Sequence, residues 1–200
     1  MWFKPRRRRS SVAFFAGASR VPQPLASVPG RAHHPVVGPA GDARSAVVEF
    51  LTAPPGRPVR PRADTVEFLK ERGGRDRRLL AVRFVDLDGR AWFWLVAAER
   101  DEHRGWQAHG VAGGAGAAPR RSGPWLNFCG GWGRGRLYGG GEICEAGVAL
   151  SRIRLTLANG LRLDDDAEGG VALFVADSDS APQRIELFDS AGRLAASQAP

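Results

Sequence analysis

The pattern Asp-x-x-Gly-Arg occurs twice in the chain, as Asp86-Leu87-Asp88-Gly89-Arg90 and as Asp189-Ser190-Ala191-Gly192-Arg193. Leu157-Ala158-Asn159-Gly160-Leu161 is a close cousin. Each joins two apolar-rich runs and reads as a β-hairpin closed by a three-residue loop. In such a loop a type I turn is followed by a residue at positive φ, where glycine has no Cβ to clash. The flanking residues then oppose one another, so Asp86 faces Arg90 and Asp189 faces Arg193. In the second hairpin a two-residue loop would set Leu157 against Arg162 and Leu155 against Asp164. A three-residue loop sets Leu157 against Leu161 and Leu155 against Leu163, which keeps the apolar side chains on one face. Antiparallel sheet is therefore the dominant structure of the chain.

Strand-like runs cover Leu79–Asp86, Arg90–Ala97, Gly105–Val111, Trp125–Cys129, Ile143–Leu150, Arg152–Ala158, Leu161–Leu163, Val171–Ala176, Arg184–Asp189 and Leu194–Ser197. Several short strands at such spacing favour a sandwich over an α/β fold. One short helix is expected at the start of the domain. There Asp64 would cap it, Glu67 stands three residues on, and Gly73-Gly74 would end it. A weaker helical pattern lies at Arg44–Leu51, where Val47, Val48 and Leu51 share a face. The expected fold is an all-β, immunoglobulin-like antiparallel sandwich over residues 63–200.

Charge and proline set the other boundary. Residues 1–62 hold 11 Lys and Arg against only Asp42 and Glu49, whereas residues 63–200 hold the other 18 against 19 acids. The formal charge of +8 therefore belongs to the first 62 residues, which also contain ten of the 14 prolines. Such a Pro- and Arg-rich stretch buries too little apolar surface to offset its conformational entropy and reads as a disordered basic leader. The segment from Arg6 to Ala18 has the order of an export signal, with four arginines, a short apolar run and small residues. A signal peptide, a basic tail and translated sequence upstream of the true start are the three readings of it, and the tail is preferred. A cytoplasmic location follows, with export as the alternative. No segment reaches the roughly 18 apolar residues of a membrane span. Nucleic acid would be held only non-specifically, by the charge of the leader.

Among residues that could carry chemistry, five of the six tryptophans stand out: Trp92, Trp94, Trp106, Trp125 and Trp132. They suit either a sugar-stacking platform or a core, and the three-residue loop favours the core by placing Trp92 opposite Phe84 and Trp94 opposite Val82. The glycine-rich run Gly130–Gly141 reads as an irregular loop that presents Trp132, Arg134, Arg136 and Tyr138 to a ligand. It matches neither the dinucleotide nor the P-loop pattern. Cys129 and Cys144 would form a disulfide if the chain were exported. His103 and His109 lack metal-ligand spacing, and Asp164-Asp165-Asp166 reads as a solvated turn, so neither a metal nor a cofactor is expected. Glu99, Asp101, Glu102 and His103 read as a polar loop tip, and no nucleophile–base pair is visible.

The runs Arg152-Ile153-Arg154-Leu155, Val171-Ala172-Leu173-Phe174-Val175 and Ile185-Glu186-Leu187-Phe188-Asp189 resemble the C-terminal parts of β-sandwich proteins of high-GC bacteria. The resemblance covers about a quarter of the chain, consists of hairpin grammar and brings no catalytic residue. The expected function is that of a non-enzymatic binding domain for another protein. A carbohydrate-binding module built on the clustered tryptophans is the alternative.

Overall fold

The computed structural model describes residues 41–52, 59–115 and 121–200. Residues 1–40 fall outside this range, and with them the expectations of a signal and of disorder. Helix α1 (Ala43–Thr52) comes first. Asp42 caps it, its Oδ1 accepting the Ser45 N–H at 2.8 Å, and that bond holds the Asp42 carboxyl below its usual pKa. Ala43, Ala46, Val47 and Leu51 make its buried stripe.

Eleven strands follow: β1 (Glu67–Gly73), β2 (Arg77–Val85), β3 (Ala91–Asp101), β4 (Gly105–Ala115), β5 (Trp125–Gly133), β6 (Arg136–Cys144), β7 (Leu150–Leu157), β8 (Arg162–Asp166), β9 (Val171–Ala176), β10 (Pro182–Asp189) and β11 (Leu194–Gln198). They form three antiparallel sheets, ordered β1-β2-β3-β4, β5-β6-β9 and β11-β10-β7-β8. The all-β antiparallel architecture is as expected.

Its layering is richer than a two-sheet sandwich. The α1 stripe and Val59 pack on one face of the first sheet, against Leu80, Val82, Phe84, Val96 and Ala98. The opposite face of that sheet, with Leu79, Ala81, Phe93, Leu95 and Ala97, packs on Tyr138, Val171 and Leu173 of the second sheet. The far face of the second sheet, with Leu126, Leu137, Ala172 and Phe174, packs on Ile153, Leu155, Leu157, Ile185 and Leu187 of the third. The second sheet is therefore covered on both sides. Strands β6 and β9 read as small or apolar at nearly every position for that reason.

The second and third sheets take the orders of a seven-stranded immunoglobulin domain, C-F-G and A-B-E-D, with β11 as A and β5 as G. The chain therefore runs through that arrangement backwards. The expected antiparallel sandwich is present, with a third sheet added to it.

All three glycine hairpins close as expected. The N–H of Asp86, Leu157 and Asp189 donates to the carbonyl of Arg90, Leu161 and Arg193 at 2.9, 2.8 and 2.9 Å. Gly89, Gly160 and Gly192 have φ of 79°, 84° and 76°. Trp92 stands opposite Phe84 and Trp94 opposite Val82. Asp189 pairs with the Arg193 guanidinium at 2.8 Å. Asp86 behaves differently. It is buried, and it accepts the N–H groups of Asp88 and Arg90 and the Trp92 indole N–H at 2.9, 2.8 and 2.7 Å. Burial pushes its carboxyl up, but these bonds outweigh that and hold it below the usual range.

Four expectations fail. The first is the strand over Ile143–Leu150, where residues 145–149 instead form the turn between β6 and β7, closed by the Val148 N–H on the Glu145 carbonyl at 2.9 Å. The helix expected from Asp64 is a single 3-10 turn, Ala63–Thr65, followed by β1. Pairing of Phe68 with Val82 and of Arg72 with Leu79 overrides the capping pattern. The Asp164–Asp166 run is not a solvated turn but strand β8. Its Asp165 is buried, pairs with Lys70 at 3.0 Å and with Arg72, and accepts the Leu173 N–H at 2.7 Å. The domain boundary at 63 also moves, because α1 and Val59 belong to the core of the first sheet.

That last point predicts that Leu51→Ala, at a side chain 2% exposed, costs about 2–5 kcal/mol. A chain beginning at Ala63 should unfold at a clearly lower denaturant midpoint than one beginning at Gly41. Equal midpoints in urea titrations would show that α1 contributes nothing.

Candidate functional site

The run Gly130–Gly141 is a hairpin of the middle sheet rather than an irregular loop. Gly133 pairs with Arg136, leaving a two-residue loop of Arg134 (φ 55°) and Gly135 (φ 77°). Two consecutive positive φ values are those of a type I′ turn, which suits the twist of a hairpin and favours Asn-Gly. Glycines crowd β6 because its neighbours leave no room. A Cβ on Gly139 would lie 2.8 Å from the Phe128 ring, and one on Gly140 would lie 2.3 Å from the Ala172 carbonyl oxygen. These are features of packing, and no backbone cradle for a ligand results from them.

The hairpin end meets the ends of β2, β3 and β9, and the four proposed site residues divide there into two groups. Arg136 and Tyr138 point to the first sheet and close on Glu99 at the end of β3. The Tyr138 hydroxyl donates to Glu99 Oε1 at 2.6 Å, and the Arg136 guanidinium spans both Glu99 oxygens. The His109 ring stands edge-on to Tyr138 at 6.2 Å between centroids. Arg77, across the strands from Glu99, pairs with Asp177 at 2.5 Å. Burial raises the Glu99 carboxyl, but its bonds to Tyr138 and Arg136 outweigh that and keep it below its usual pKa. Burial, reinforced by the Glu99 acceptor, pushes Tyr138 up to about 12. The group is thus a closed network of a fixed anion, a protonated phenol and paired guanidiniums. It leaves no poised acid, base or nucleophile.

Trp132 and Arg134 form the second group and project outward. Trp132 is 51% exposed, and the Arg134 guanidinium makes no ion pair among the described residues. The turn that carries them is held from behind, because the Gly135 N–H donates to Asp179 Oδ1 at 2.6 Å.

The other sequence candidates are dispersed. Trp92, Trp94 and Trp106 pack against the helix-side core of the first sheet. Trp92 and Trp94 meet edge-to-face at 86°. Trp125 is buried at the start of β5, with Arg121 over its ring at 4.8 Å. The five rings therefore form no common flat platform. The disulfide expectation is corrected. Cys129 pairs across the strands with Gly140 and Cys144 with Trp125, four residues apart along the hairpin. That is roughly 13 Å, beyond the ~7 Å Cα limit of a bridge. Both thiols are free, and burial pushes Cys129 up to about 11. Asp101 accepts the N–H groups of His103 and Arg104, making a loop tip.

Arg77, Asp177 and Asp179 escaped sequence reading. They reach the site from β2 and the β9–β10 connection, with no spacing that links them to residues 132–138. Among the described residues no group of three or more His, Cys, Asp or Glu is placed to hold a metal ion. No helix among them is long and apolar enough to cross a membrane. Comparison with protein-family models, with curated proteins and with solved structures gives no match.

Tyr138 is the single tyrosine of the chain, so its ionisation is directly readable at 295 nm. A folded pKa above the ordinary value of about 10 means that its contribution to stability is complete below pH 10 and is lost as the pH rises toward 12. The absorbance midpoint should lie near 12, and Glu99→Gln should lower it by removing the anionic acceptor. A midpoint near 10 in the native fold would contradict the network.

Proposed function

We propose that the chain is a non-enzymatic binding domain that engages another protein through the end of the β5–β6 hairpin. The observation that carries this reading is Arg134. It occupies a positive-φ position that glycine or asparagine fills more cheaply, beside the largely exposed Trp132, on a turn anchored by Asp179. A non-glycine residue at such a φ costs about 1 kcal/mol, and strain of this kind concentrates where a side chain is needed for contact. Tryptophan and arginine are also the side chains that dominate binding energy at protein interfaces. The closed Glu99–Arg136–Tyr138 network supports a non-enzymatic role, acting as the rigid base of the tip. A cytoplasmic location suits two thiols set out of reach of one another.

The carbohydrate alternative rests on Trp132 alone, since the other four rings are engaged in packing. Arg134→Gly should stabilise the fold by roughly 1 kcal/mol while weakening partner binding. Trp132→Ala should leave stability nearly unchanged and cost about 2 kcal/mol or more of binding. Affinity capture with the native chain and both variants, alongside thermal melts, reads these effects. Loss of polysaccharide retention in Trp132→Ala, with protein capture unchanged, would favour the carbohydrate alternative. Unchanged binding of every ligand in both variants would remove the hairpin end from the function.

A further inference from the structure

We infer that the outer edge of β5 is a docking site for an extended segment of the partner, added as a fourth strand to the middle sheet with an acidic residue beside Arg134. The inference rests on the tip reading above and gives the partner its form.

The edges of the three sheets are treated very differently on the two sides of the stack. On one side, β1 carries Glu67, Lys70, Glu71 and Arg72, and β8 carries Arg162 and three aspartates. The β9 edge between them is closed by side chains. Asp165 accepts the Leu173 N–H, and Lys70 donates to the Val171 carbonyl at 3.1 Å. Charged, plugged edges are how sheets resist pairing with other chains. On the other side, β4, β5 and β11 contain no Asp, Glu, Lys or Arg. An uncharged edge has none of that protection.

Strand β5 shows what its edge accepts. Leu126 donates its N–H to Gln198 Oε1 and receives the Gln198 amide at its carbonyl, both at 2.9 Å. A single side-chain amide thus fills the place of a neighbouring strand. The β5–β6 register runs without a shift, so Phe128, Gly130 and Trp132 turn their N–H and C=O groups the same way as Leu126. None of these groups has a hydrogen-bond partner among the described residues. The open window therefore begins just past the Gln198 cap and ends at the exposed tip. Gly130, Gly131 and Gly133 leave it uncluttered by side chains.

Charge selects the occupant. The window itself is neutral, and Arg134, without an ion pair among the described residues, stands at its end. The fitting ligand is an extended stretch of about five residues, with β-branched or aromatic side chains at alternate positions and Asp or Glu at the end that reaches Arg134. A second copy of this chain would pair its β5 edge antiparallel, setting each Arg134 beside the Leu126 end of the other β5, where that strand offers no acid to meet it.

The test screens the full chain against an array of randomised heptapeptides. Selected peptides should carry the alternating pattern and a terminal acid. N-methylation of one alternate set of peptide amides should weaken binding at least about tenfold, the worth of roughly two backbone hydrogen bonds, and the other set should matter little. Arg134→Gly should abolish the acidic preference while the strand pattern survives. Gln198→Ala should lengthen the bound footprint by uncovering Leu126. Equal tolerance of N-methylation in both sets, or no peptide selected, would overturn the strand-addition proposal. Binding of a folded partner that still depends on Trp132 would leave the tip reading standing in that event. A dimer in sedimentation that excludes the peptides would assign the edge to a second copy and overturn the proposal equally.

Discussion

Covering the middle sheet on both faces is the constraint from which most of the structure follows. A strand buried on both sides cannot alternate apolar and polar residues, and β9, Val171–Ala176, does not. A sheet squeezed between two others also needs thin positions, which β6 supplies at Gly139 and Gly140. The first sheet, pressed against it through Leu79, Ala81 and Leu95, has a second apolar face that must be covered in turn. Helix α1 and Val59 cover it. The short helix upstream of the strands is therefore part of the fold's closure.

The same constraint explains where charge is buried. Backbone groups at the edge of a sandwiched sheet need partners. At β9 these come from Asp165 and Lys70, which also pair with each other at 3.0 Å. Removing two charges from water is expensive, and a buried pair is repaid only when its remaining hydrogen-bonding capacity is filled. Here it is filled: Asp165 also receives Arg72 and Leu173, and Lys70 reaches Asp166 and Val171. One ionic knot thus ties β1, β8 and β9, one strand from each sheet. At the opposite edge the neutral Gln198 amide satisfies only Leu126. Among the described residues the stack consequently has one closed side and one open side.

Local chemistry was legible in the sequence wherever the physics was local. The three glycine turns, their register and the pairing of Trp92 with Phe84 follow from φ preferences and side-chain faces over a few residues. What could not be read depends on distant partners. The capping pattern at Asp64 and Glu67 is indistinguishable from a helix start until β2 is there to pair with Phe68. The Asp164–Asp166 run looks solvated until Lys70 and Arg72 arrive from nearly a hundred residues away in the chain. The glycines of 130–141 suggest a loop because their cause, crowding by Phe128 and Ala172, is tertiary. One signal of the third layer was present: the unbroken apolar runs Leu79–Val82 and Leu95–Ala98 mark strands buried on both faces. Of the candidate site, Trp132, Arg134, Arg136 and Tyr138 were visible as an unusual cluster. Their division into a paired base and a projecting tip required Glu99 and Asp179.

Native-state hydrogen exchange tests the central place of the middle sheet most directly. The account predicts that the amides of β6 and β9 exchange only through global unfolding. The N–H groups of Phe128, Gly130 and Trp132, at the open edge of β5, should exchange far faster than their neighbours. Exchange of β6 at a lower free energy than β2 or β7 would mean that the outer sheets hold without it, and would contradict the account.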